Sequence, residues 1–276
     1  MPPYTDPSPS FPRPSKVVTV VMLLVGGLWL AFAVGMSWAS VPPEVFQLAT
    51  GNTRFILHGE VWRLFTASLV QSPNTFWHVF SVLLSLYFFA VPLESEWGPK
   101  RLLRFLLGLV LIPSLLQALL DVALPASLSR AVIPSYWFGG YSVSVGVTVA
   151  WALNNRSSVI RLYGILPITP RMLIYITLGW PALYLIFHST PSEGVPAMYV
   201  GALTGWLLGG DTPSPLRRYW LKYRMARLDS EFATEAAQRK KRVERSRLKV
   251  IEGGRAKPES GADGEKGRGP DGRWLN

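Results

Sequence analysis

Residues 137–142 read Trp137-Phe138-Gly139-Gly140-Tyr141-Ser142, and Val143–Leu153 continues as VSVGVTVAWAL. This run is apolar and uncharged, and it opens on paired glycines. Gly139, Ser142, Gly146 and Ala150 recur at spacings of three and four, which on a helix makes one narrow face of small side chains. Such a face lets a second helix approach backbone to backbone. Its natural counterpart is the last apolar stretch, where Gly201-Ala202-Leu203-Thr204-Gly205 spells GxxxG. Two uncharged stretches of this kind point to helices packed within a bilayer.

The rest of the chain supports that environment. Of its 276 residues 49% are hydrophobic and only 16% charged, yet the net charge is +11. The apolar residues come in blocks and the charges collect between them, the pattern of a polytopic membrane protein. Six segments are expected: Val17–Ala39, Thr75–Leu93, Leu102–Leu124, Tyr136–Leu153, Met172–Phe187 and a short, glycine-rich Val195–Gly209. The first is read as a retained membrane helix, because the proline-rich start carries no secretory signal pattern. Several segments fall short of the roughly 20 residues of a simple span. Neighbouring helices in a compact bundle would cover their backbones.

Basic residues set the expected orientation. Lys100, Arg101 and Arg104 follow the second segment, and Arg156, Arg161 and Arg171 follow the fourth. From Asp211 onward there are 17 basic and 10 acidic residues, a net of +7. The opposite loops are nearly neutral. The positive-inside rule places both termini in the cytoplasm with an even number of spans. On that side the Asn155-Arg156-Ser157 sequon stays unused.

The expected organisation is therefore an N-terminal cytoplasmic segment (1–16), a membrane domain (17–210), a basic cytoplasmic helix (211–250) and a disordered tail (251–276). The fold class is an all-α, six-transmembrane-helix bundle. Trp220, Tyr223 and the nearby arginines suit an interfacial anchor on anionic lipid rather than a nucleic-acid surface. There is no cysteine, which excludes disulfides and thiol catalysis. Three scattered histidines, His58, His78 and His188, do not form a metal site, and no cofactor is expected.

Four further stretches carry chemistry or scaffold. Trp62-Arg63-Leu64-Phe65-Thr66 lies in the first outer loop, Glu94 and Gly98 form E-x-x-x-G at the inner end of the second segment, and WFGGYS and GALTG follow. In this order, over roughly Phe55–Gly210, the chain resembles the rhomboid family of intramembrane serine proteases and their relatives. The resemblance implies a six-helix membrane fold. It assigns the nucleophile position to Ser142 and the substrate-binding backbone around it to Gly140, Tyr141 and Val143. It assigns an oxyanion helper to His78, and structural roles to Trp62, Arg63, Glu94, Gly98, Gly201 and Gly205.

The chain departs from the family pattern where catalysis needs it most. The glycine after the nucleophile is Val143, the sixth-helix histidine is replaced by Met198, and the asparagine four residues after His78 is replaced by Val82. A serine hydroxyl needs a base within hydrogen-bond reach, and a thioether is not one. Losing a triad member or an oxyanion donor costs orders of magnitude in rate. The implied function is a pseudoprotease that binds transmembrane segments of client proteins. The competing reading is an active serine endopeptidase whose base is non-standard, with His188 or His78 as the residue to examine. A transporter is disfavoured, since Asp121, near a helix end, is the one charge expected to be buried and no inverted repeat is visible.

Overall fold

The computed structural model describes residues 16–156, 160–162, 166–210 and 215–251. The expected N-terminal segment (1–16) and tail (251–276) lie outside them except for Lys16 and Ile251. The chain divides into two units, Met1–Tyr219 and Trp220–Asn276.

The first unit is helical. It begins with α1 (Lys16–Trp38) and the short helices α2 (Pro43–Ala49), α3 (Thr53–Leu57) and α4 (Arg63–Thr66). A continuous helical stretch follows, made of α5 (Phe76–Ser85), a π-helical segment (Leu86–Ala90) and α6 (Val91–Trp97). Then come α7 (Pro99–Ala123), α8 (Ala126–Val132), α9 (Tyr141–Asn154), α10 (Pro170–Ile186) and α11 (Val195–Gly209). One short antiparallel hairpin interrupts the helices, with β1 (Ile160–Leu162) paired to β2 (Leu166–Ile168) and Ile160 opposite Ile168. Helix α12 (Pro215–Ile251) leads into the second unit, and its described side chains there are mostly exposed.

Among the described residues three helices are long and apolar enough to cross a bilayer: Lys16–Trp38, Phe76–Trp97 and Pro99–Ala123. Val195–Gly209 is a shorter apolar helix. The π segment has a local cause. Pro92 has no N–H to give, and its ring crowds the carbonyl four residues back, at Phe88. Widening that turn relieves the clash and lets the helix run on to Trp97.

α9 is the central element. Every residue from Ser142 to Ala152 is buried, and α9 packs against α5, the π segment, α7, α10 and α11. At the opposite extreme, α1 buries only Val18 and Val25. Val17, Val21, Met22 and Trp29 pack partly against the core, while Leu23, Leu30 and Val34 stand exposed, as a helix in lipid allows. Glu94 fixes where α1 begins: its carboxylate accepts the Val17 and Val18 amides at 3.3 and 3.1 Å. These two N–H groups have no partner within the helix, so a carboxylate there satisfies them and complements the helix dipole. Gly98, at φ +80°, then turns the chain from α6 directly into α7.

α9 and α11 meet through missing side chains. A Cβ on Gly201 would lie 2.3 Å from the Ser142 carbonyl oxygen, and one on Gly205 would lie 2.3 Å from that of Gly146. Gly209 completes the stripe against Ala150. The fourth expected segment is corrected at its start. Tyr136–Gly140 is not helical, because Trp137 forms an isolated bridge with Gly51 and Gly139 adopts φ +131°. Gly139 consequently leaves the small-residue face: a Cβ there would meet the His78 ring at 2.9 Å rather than α11.

Candidate functional site

The amides of WFGGYS are all accounted for, which defines the site. Trp137 N–H donates to the Gly51 carbonyl at 2.9 Å, Phe138 N–H to that of Ser192 at 2.9 Å, and Gly139 N–H to that of Ala67 at 2.9 Å. Gly140 N–H reaches Gln71 Oε1 at 3.4 Å. The last two, from Tyr141 and Ser142, open α9 and both go to the carboxylate of Glu193. Glu193 is thus a side-chain cap delivered from a distant loop to a helix that has no cap of its own.

Glu193 also takes the hydroxyl. Ser142 Oγ donates to Oε1 at 2.5 Å while Ser142 N–H donates to Oε2 at 2.9 Å. Ser142 is 0% and Glu193 3% exposed. Burial pushes the Glu193 carboxyl up to about 7, against the three hydrogen bonds that favour its charged form.

The loop that carries Glu193 is held from two sides. Gln117 of α7 donates its amide to the Glu193 carbonyl at 2.8 Å and accepts from Ala197 N–H at 3.1 Å. On the other side, Ser72 N–H donates to His78 Nδ1 at 3.3 Å, so that nitrogen carries no proton. In the neutral ring Nε2–H is then the donor, and it lies 3.1 Å from Ser192 Oγ. His78 also meets the Tyr141 ring edge-on, with centroids 4.7 Å apart. Its two nitrogens are therefore spent on Ser72 and Ser192.

The other expected residues fall as follows. Met198 is buried in the first turn of α11, but the residue that α11 sets directly against Ser142 is Gly201. Val82 packs on Gly140, where an added Cβ would meet its Cγ1 at 2.9 Å. Val143 is buried beside it. His188 is exposed, at φ +51°, with Nδ1 near the Ile186 carbonyl. It is not brought to Ser142. Arg63 is 2% exposed; its Nη1 donates to the carbonyls of Gln47 and Thr50, and its Nε pairs with Glu60 at 2.7 Å. Trp62, next to it, is exposed. Asp121 accepts from the Ser129 hydroxyl. Among the described residues no cluster of histidine, aspartate and glutamate could hold a metal.

Sequence reasoning did not single out Glu193 as a partner of Ser142. The available signal was its place, immediately before Gly194 at the start of the helix that carries the GxxxG face.

A model of the family described as eukaryotic integral membrane protein (DUF1751) matches residues 16–208. The chain belongs to that family. The match runs from the first residue of α1 to the last turn of α11, and so spans the whole Ser142–Glu193 arrangement. No curated protein matches the chain. Membership makes it an integral membrane protein, in agreement with its three long apolar helices.

Proposed function

We propose that this member of the family is a rhomboid-like membrane protein, inert as a protease, that binds transmembrane segments of client proteins. One observation carries the reading. The only residue in a nucleophile's position, Ser142, is sealed from solvent, and both its hydroxyl and its amide are committed to one carboxylate. A hydroxyl that caps a helix from inside a closed junction is a structural group. The base position of the resemblance is filled by Met198, and the resemblance puts Val82 and Val143 where the family keeps an oxyanion asparagine and a glycine.

Client binding is supported by α10. Only Pro170 and Pro181 are buried in that helix, while Tyr175, Ile176, Trp180, Leu183 and Ile186 stand exposed. The proposal retains six spans, both termini in the cytoplasm, the domain limits near residues 16, 210 and 250, and contact of the basic tail with anionic lipid.

A second reading rests on a specific distance. A carboxyl near 7, 2.5 Å from a serine hydroxyl, has the reach and basicity of a general base. Under that reading the chain is a serine endopeptidase with a Ser142–Glu193 dyad. Cleavage of a fluorogenic transmembrane substrate in proteoliposomes separates the two. The inert reading predicts no turnover above empty vesicles. Turnover abolished by both Ser142→Ala and Glu193→Gln establishes the dyad instead.

A further inference from the structure

A cavity of about 230 Å3 opens in the membrane domain between α1 and α7, and no residue of α10 or α11 lines it. Val20, Val21, Leu24 and Val25 of α1 form one wall, and Leu103, Leu106, Leu107 and Val110 of α7 form the other. Phe65, Leu69, Val82 and Leu86 close the back, and Ser68 is the one polar side chain in the lining. The cavity spans Leu103 to Val110 along α7, about 10 Å at the rise of an α-helix.

The two walls share a further feature. On α1, Lys16, Val20 and Leu24 follow at intervals of four, so the lysine heads the stripe that lines the cavity. On α7, Lys100, Leu103, Arg104 and Leu107 follow the i, i+3, i+4, i+7 pattern and lie on one face. Lys16, Lys100 and Arg104 are exposed. Glu94 holds the start of α1 while its own helix ends one residue before Gly98 and α7. By helix register all three cations lie on the stripes that line the cavity, in the first turns of α1 and α7. Arg101, their neighbour on α7, is turned onto the Trp97 ring at 4.3 Å and is engaged there.

We infer that this cavity and its cationic rim form a binding site for one anionic phospholipid, with an acyl chain between α1 and α7 and the phosphate on Lys16, Lys100 and Arg104. The dimensions favour a chain over a protein. A helix is about 10–12 Å across with its side chains and does not enter such a space, whereas an acyl chain does. The lining offers no hydrogen-bond partner for a polar ligand beyond Ser68. The rim offers charge that a zwitterionic headgroup matches less well than an anionic one. The site is separate from the basic tail; Gly140 and Val143, on either side of Tyr141 and Ser142, complete its inner wall, while Ser142 itself is not in the lining.

Native mass spectrometry of the full-length, delipidated protein tests it, with dioleoyl-phosphatidylserine and dioleoyl-phosphatidylcholine added separately. One phosphatidylserine is expected to stay bound at about tenfold lower concentration than phosphatidylcholine. The triple variant Lys16→Gln, Lys100→Gln, Arg104→Gln should lose that preference although its tail is intact. Val21→Phe, which narrows the cavity and leaves every charge, should weaken both lipids. A phosphatidylserine probe with a diazirine in its acyl chain should crosslink to peptides of α1 and α7. Equal affinity for the two lipids, a preference that survives the triple variant, or equal competition by glycerophosphoserine without acyl chains would overturn the proposal. So would diazirine adducts confined to α12, or a polypeptide crosslinked from Val21 in place of lipid.

Discussion

The α9–α11 seam and the α1–α7 side are built from the same apolar alphabet and end in opposite states. At the seam glycine faces backbone, and Gly201 and Gly205 leave no room even for a methyl group. Between α1 and α7 the facing residues are Val and Leu, and a cavity of about 230 Å3 remains. In a bilayer, lipid tails are as apolar as leucine, so large aliphatic side chains alone do not draw helices together. Close packing comes where small residues permit van der Waals contact and where a polar network needs covering. The seam has both: Ser142, Glu193 and Gln117 lie along it, each fully or almost fully buried. The contrast separates a junction that must stay shut from one that admits a ligand.

Breaking the seam should have the largest consequences. Gly201→Val drives a side chain into the Ser142 backbone, and the cost is expected on the order of 4–5 kcal/mol or more. Size-exclusion chromatography in mild detergent should show loss of the monodisperse species; a normally folded variant would mean that the helices separate easily.

Removing the carboxylate comes next. Glu193→Ala strands three donors in a closed site, at about 1–3 kcal/mol each when unpaired. Thermal unfolding should drop well below the parent. The pH dependence has a defined sign. Because the folded protein holds this carboxyl at about 7, against an ordinary 4.5, it retains the proton more tightly than the unfolded chain. Its contribution is full below about pH 4.5 and is lost as pH rises through about 7. Melting midpoints should fall across that window, and Glu193→Gln should flatten the slope.

A pair of truncations on α7 sharpens the comparison within one helix. Leu109 is fully buried beside Gly146, whereas Leu107 lines the cavity and is partly exposed. Leu109→Ala is expected to cost about 2–5 kcal/mol, and Leu107→Ala less than about 1, because lipid can replace the lost contact. Equal effects would show that the cavity side is packed as tightly as the seam. Arg63→Ala falls outside both regions. It takes the Arg63 donor from the Thr50 carbonyl and Glu60, while the Gln47 carbonyl keeps the Thr50 N–H and hydroxyl, and a loss of about 2–3 kcal/mol in detergent is expected.

Much of the helical plan was legible because it rests on local pattern. The small-residue stripes on α9 and α11 meet where their spacing puts them, and α11 runs over Val195–Gly209 as read. The helix starts were harder. WFGG reads as part of an apolar segment, but its amides are claimed by Gly51, Ser192, Ala67 and Gln71, and no local pattern encodes those partners. The stretch expected over Thr75–Leu93 runs on past Pro92 to Trp97, because the π turn absorbs the proline. Glu193 was illegible for a related reason. A single acid in a loop becomes the partner of Ser142, 51 residues away, only after α7, α9 and α11 have assembled. His188, chosen by its nearness to the proper end of a segment, points elsewhere.

The central claim is that Ser142 caps a helix through Glu193 and does not act as a nucleophile. Fluorophosphonate labelling of the purified, folded protein, read by mass spectrometry on the Ser142 peptide, tests it most directly. No adduct is expected at neutral pH, with Ser142→Ala indistinguishable from the parent. A stoichiometric adduct on Ser142, lost on Glu193→Gln in a variant that remains folded, would contradict the account and make the pair a catalytic dyad.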